Sequence, residues 1–171
     1  MNYAAGTLYG AERALNIVIE YLRTNLPDAV QAVNDAYQDD GLGLTITAPE
    51  EGSIGNAEWR LSYLPPTPAL AVLLEADRLM EVQEGYMMTR HPITLVVAES
   101  DADAGILRRK MMRHVAALRL CLDRAMAAAS LVFFWPDTGV IASYSSIAIV
   151  EETFFADAQL YIEVQLEELY G

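Results

Sequence analysis

The chain has 171 residues, of which 53% are hydrophobic and 20% charged, and its formal net charge is −13. That length suits one folding unit around a single core, and the charge excludes a protein that grips a nucleic-acid backbone over its whole surface. One cysteine excludes an intrachain disulfide, and no stretch of 18 uncharged apolar residues is present to cross a membrane. The apolar share lies above the usual ~45–50%. It reads either as subunit interface or as alanine left at the surface. The opening segment, MNYAAGTLYGAERALN, lacks the basic-then-apolar pattern of a signal peptide.

Residues 11–37 read as helix, with Leu15, Val18 and Leu22 repeating at three and four. Pro27 predicts a break or kink at Leu26, because the residue before a proline disfavours helix. Residues 38–68 form an irregular arm. In it QDDGLG ends the helix, LTIT suits a short strand, PEEGSIGNAEW has turn chemistry, and SYLPPTP stiffens the approach to the sheet. Residues 41–60 suit a flexible partner-binding loop or a long connection.

ALAVLLEA, residues 69–76, predicts a strand, and Glu84–Gly85 predict the turn of a hairpin that follows it. ITLVVAE, residues 93–99, is apolar on both faces and predicts a central strand covered on both sides, entered at His91–Pro92. Ser100 or Asp101 is placed to cap the next helix, and Asp101 and Asp103 favour its positive end. Leu107, Met111, Val115, Leu118, Leu122 and Met126 form its buried stripe, and WPDTG, residues 135–139, is the expected stop. YSSIAIVEE predicts a further strand, with Glu151 and Glu152 on opposite faces. In the last strand Ala156, Ala158, Leu160, Ile162, Val164 and Leu166 alternate with Asp157, Gln159, Tyr161, Glu163, Gln165 and Glu167. The fold class is α+β: a mostly antiparallel sheet packed against long helices, one domain over residues 1–171.

The residues give little support to catalysis. His91 and His114 suit satisfied structural positions, and Cys121 suits a buried core thiol. These three scattered residues do not resemble a zinc site. There is no G-x-S-x-G elbow, and GLG at 41–43 is neither a phosphate loop nor a dinucleotide fingerprint. No catalytic, metal-ligating or cofactor-binding residue is assigned, and no cofactor is implied.

Charge is more informative. Arg108, Arg109, Lys110, Arg113, Arg119 and Arg124 supply six of the 11 bases from one helix. Arg109, Arg113 and Arg124 fall opposite the apolar stripe and are expected to be exposed. The patch suits a solvated outer face, a surface for an acidic partner, or phosphate contacts. Asp157, Glu163 and Glu167 form an acidic row on a strand face that itself carries no lysine or arginine. This row suits solvent, an interface or the wall of a channel. A basic face on one copy meeting an acidic face on the next would be a heterologous contact, which closes into a ring.

The layout resembles the tail-terminator family of long-tailed bacteriophages and the related neck and tail-completion proteins. The likeness covers about residues 10–168. It runs from an N-terminal helical segment through PPTPALAVLLEAD and a hairpin to RHPITLVVAESD, then ILRRKMMRHVAALRLCLDRAM, SSIAIVEE and AQLYIEVQLEEL. The resemblance implies a ring, commonly a hexamer, at the head-proximal end of the tail tube in the virion, assembled in the host cytoplasm. Such a ring stops tube growth, offers a dock to the head connector or stopper protein, and lets DNA pass without sequence-specific binding. The family has no catalytic residues to carry over. The N-terminal helical segment and the arm are long for a minimal terminator, which leaves room for a stopper, an adaptor or a baseplate component. A non-viral module that presents the arm to a protein ligand is the rival class.

Overall fold

The structure is a computed structural model that describes residues 5–55, 66–74, 78–83, 86–128, 133–137 and 139–169. Helix α1 spans Ala5–Ala36. It buries Ala14, Val18, Leu22, Leu26, Ala29, Val30 and Val33 along one side, the spacing an amphipathic helix needs. The expected break at Leu26 does not occur, and Pro27 lies inside a single helix. A mid-helix proline costs about 3 kcal/mol. Here Leu22 and Leu26 before it and Ala29 and Val30 after it enter the same core, so packing holds the helix across the lost hydrogen bond.

After α1 the chain turns back irregularly, and LTIT forms no strand. Asn34 takes the place of a strand partner there. Its side-chain amide donates to the Ile46 carbonyl at 2.8 Å and accepts from the Ile46 N–H at 3.0 Å. Both polar groups of a buried apolar residue are thereby satisfied without a ladder.

Among the described residues, eight strands make one sheet: β1 Ile54–Gly55, β2 Ala69–Leu74, β3 Arg78–Gln83, β4 Tyr86–Asp101, β5 Phe133–Phe134, β6 Ala142–Tyr144, β7 Ala148–Val150 and β8 Thr153–Leu169. β1 pairs parallel with β2, and every other pairing is antiparallel. The α+β architecture expected from the sequence is therefore present. β4 lies between β8 on one edge and β2 and β3 on the other. β5, β6 and β7 follow one another along the outer edge of β8.

β4 is longer than the sequence suggested, because it starts at Tyr86 and not after Pro92. β2 pairs with Ile93–Ala98 and β3 with Tyr86–Arg90. His91 and Pro92 stay in the strand through β8, where they lie opposite Val164 and Glu163. The β3–β4 register confirms the hairpin, while its turn at 84–85 lies outside the described residues.

Helix α2 spans Ala104–Ala127 and ends well before WPDTG. Its cap is Asp103, two residues later than expected, because β4 continues to Asp101. The Asp103 carboxylate accepts from the N–H groups of Gly105 and Ile106 at 2.7 and 2.9 Å. Leu107, Met111, Val115, Leu118 and Leu122 are buried as the stripe predicts, and Met126 is half-buried. α1 and α2 form the layer over one sheet face, against Leu70, Val72, Ile93, Leu95, Val97, Ala158, Leu160, Ile162 and Val164. On the opposite face Ala69, Ala71, Thr94, Val96 and Ala98 are also buried, as a doubly covered central strand requires.

Glu151 and Glu152 are not strand residues on opposite faces. They form a two-residue turn between β7 and β8, with φ of 48° and 67°. Such a turn normally takes Asn-Gly, since both residues must enter the left-handed region.

Candidate assembly surface

Two of the charged residues singled out in the sequence face inward. Arg113 was expected to be exposed but is 5% exposed. Its guanidinium donates to the Leu44 carbonyl, pairs with Asp40, and lies over the Tyr37 ring at 4.8 Å. The helical wheel put it opposite the stripe. What the wheel cannot show is that the turn after α1 folds back over that side of α2, and Arg113 fastens it there. Glu163 was expected on an open acidic face and is likewise 5% exposed. Arg90 of β4 donates to it at 3.1 Å, and β5 pairs beside it at Phe134, whose ring Arg90 also covers at 5.2 Å. The terminal strand has no base of its own, but the strand next to it supplies one.

Among the described residues, buried side-chain polar atoms elsewhere have partners, apart from Nε of Arg23. His114 and Glu99 lie 2.9 Å apart, both buried, and tie α2 to β4. Burial pushes the Glu99 carboxyl up, but hydrogen bonds from His114 and the Ser100 N–H outweigh it and leave it below its ordinary value. His91 is buried, with its ring 3.0 Å from the Thr89 hydroxyl. Cys121 is buried in the core, and burial drives its thiol up to about 12. Among the described residues no group of three His, Cys, Asp or Glu side chains is placed to hold a metal ion. No described helix is long and apolar enough to cross a membrane.

The outward face of α2 differs in character. Arg108, Arg109, Arg119 and Arg124 are exposed there, as is Met112 at 56%. Met112 is a ridge between two grooves. Toward the sheet edge, a groove of about 320 Å³ is lined by Arg108, Met111, Met112, Tyr144, Ile147 and Asp157, among others. Toward α1, a second of about 150 Å³ is lined by Tyr37, Asp40, Leu42, Arg109, Met112 and Arg113. Arg108 and Asp157, expected to meet across a subunit boundary, thus line one groove of a single chain. Tyr37, Leu42, Met112 and Tyr144 are all large, apolar or aromatic, and about half exposed. Beyond Tyr144 the sheet edge continues into β7, where Ala148, Ile149 and Val150 are exposed and the turn carries Glu151 and Glu152. The side chain of Glu167 lies outside the described residues. Sequence reasoning found the arginines of this surface but missed Tyr37, Leu42, Met112, Tyr144 and Ile149. Met112 falls just off the buried stripe, which was the available signal.

No protein-family model matches the chain, and no curated protein matches it. Among solved structures, a chain of the virion of a native gene transfer agent particle aligns over 88% of this chain and 95% of its own, with 13% identity and a TM-score of 0.30. Agreement at that level carries no argument about role.

Proposed function

We propose that the chain is a structural subunit of a phage-like particle: a tail terminator that forms a hexameric ring on the head-proximal end of the tail tube. On this reading its partners are further copies of itself, the tail-tube protein below and the head connector or stopper above. DNA passes through without sequence-specific contact, and the chain performs no catalysis. The observation that carries the reading is the order of elements. A long helix and an arm lead into a hairpin, a long strand, an amphipathic helix and a long terminal strand, all sharing one sheet. That is the order on which the sequence resemblance rests. The half-exposed apolar ridge flanked by arginines supports assembly, because such a strip is costly to leave in water and its charges are placed to select a partner.

The test is to mix purified protein with tail tubes from the same particle, locate it by gold labelling, and weigh the free and bound forms by native mass spectrometry. Label confined to one tube end, with a ring mass released from it, is the expected result. A strict monomer with and without tubes, or label along the tube sides, overturns the reading.

A further inference from the structure

We propose that the β7–β8 hairpin of one copy seats in the groove between α2 and the α1 C-terminal turn of a second copy. This rests on the assembly reading and names the segment and the groove that meet. The hairpin has the form of an insert. Ala148, Ile149 and Val150 are exposed at the sheet edge, Ile149 at 67%. Its tip is Glu151–Glu152, in a backbone conformation that glutamate rarely adopts and that asparagine or glycine satisfies at less cost. Two like charges held in that conformation beside exposed apolar residues break the local rules, and such departures concentrate at functional or strained sites.

The groove has the complementary character. Tyr37, Leu42 and Met112 give it apolar walls, and exposed Arg109 stands at its edge. Asp40, the acid in it, is already paired with Arg113. An apolar strand ending in two carboxylates therefore meets apolar walls and an arginine. The groove lies on the α1 side of the Met112 ridge and the hairpin on the sheet-edge side. The contact joins two different surfaces, so each copy keeps one of each for the next neighbour, as a closed ring requires.

The test uses Leu42→Cys and Ile149→Cys in separate chains, mixed and treated with a short bismaleimide, with and without tail tubes. Cys121 is buried and does not compete. The expected product is a dimer linked between residues 42 and 149, at least fivefold above either variant alone. Arg109→Glu in the Leu42→Cys chain should abolish it, and Glu151→Lys with Glu152→Lys in the Ile149→Cys chain should restore it. Wild-type protein that assembles while the 42–149 link stays at the level of the single variants overturns the docking and leaves the ring reading standing. A link formed by protein that never localises to tube ends supports the docking and removes the tail assignment. Protein that stays monomeric and unlinked throughout overturns both.

Discussion

Arg113 shows how far a helical wheel can mislead about a single residue. Its guanidinium holds the turn after α1 through Asp40, the Leu44 carbonyl and the Tyr37 ring. Replacing it with glutamate sets a carboxylate against Asp40 and leaves the Leu44 carbonyl unmatched. Arg113→Glu should therefore cost about 3 kcal/mol, the scale of breaking a buried pair, measured by urea unfolding. Leu118→Ala, at 1% exposure, should cost about 2–5 kcal/mol in the same assay. The two variants are expected to be comparably damaging, whereas Arg109→Glu should melt like wild type. Glu99 gives a pH prediction. Its folded carboxyl lies below the ordinary value, so it adds stability above the unfolded value of about 4.5 and loses it as pH falls through the lowered one. Asp101 is also lowered, first by its hydrogen bond from Lys110, and acts over the same acid range. Glu99→Gln should flatten part of the acid limb of a stability–pH curve and leave the part due to Asp101. An unchanged limb removes Glu99 from this role.

At the scale of elements, the β7–β8 turn departs from the residues its geometry favours. The β7–β8 turn holds two glutamates in the left-handed region, a strain of order 1–3 kcal/mol per residue. Replacing Glu151–Glu152 with Asn-Gly should stabilise the isolated chain by about 1 kcal/mol in thermal melts and weaken self-association. Stabilisation with full association retained would mean that the turn serves no contact. The Asp103 cap is a simpler case: Asp103→Ala should cost about 1 kcal/mol by the same melts, since two helix N–H groups lose their acceptor. The periodic elements were legible in the sequence. The stripe on α2 and the alternation on β8 depend only on spacing, and both are present. The boundaries were less so. α1 runs through Pro27 because core packing outweighs a local penalty, and β4 runs through Pro92 because β8 pairs with it along its whole length. Neither fact is local. The candidate surface was half legible: its arginines follow from composition, while its apolar members stand out only once the turn at 37–44 and the β6–β7 edge lie on either side of Met112.

For the molecule as a whole, the −13 charge is unevenly spread, with exposed arginines on one helix and a carboxylate pair at a hairpin tip. Attraction between such patches is screened by salt, and like-charge repulsion between the acidic remainders is screened as well. If hairpin and groove govern association, light scattering should show it weakening between about 0.05 and 0.5 M salt. Association that strengthens over that range would mean general repulsion governs and the patches do not.

The pairing of β4 with β8 has a mechanical consequence. All 16 residues of β4 are in register with β8, side by side and antiparallel. The interstrand hydrogen bonds lie across the strand direction, so a load drawn along the ribbon is shared by the whole ladder in shear and does not peel it open one rung at a time. Both helices rest on this ribbon. A chain pulled along that axis should yield last at its centre, and its first loss should come from the short strands at the outer edge.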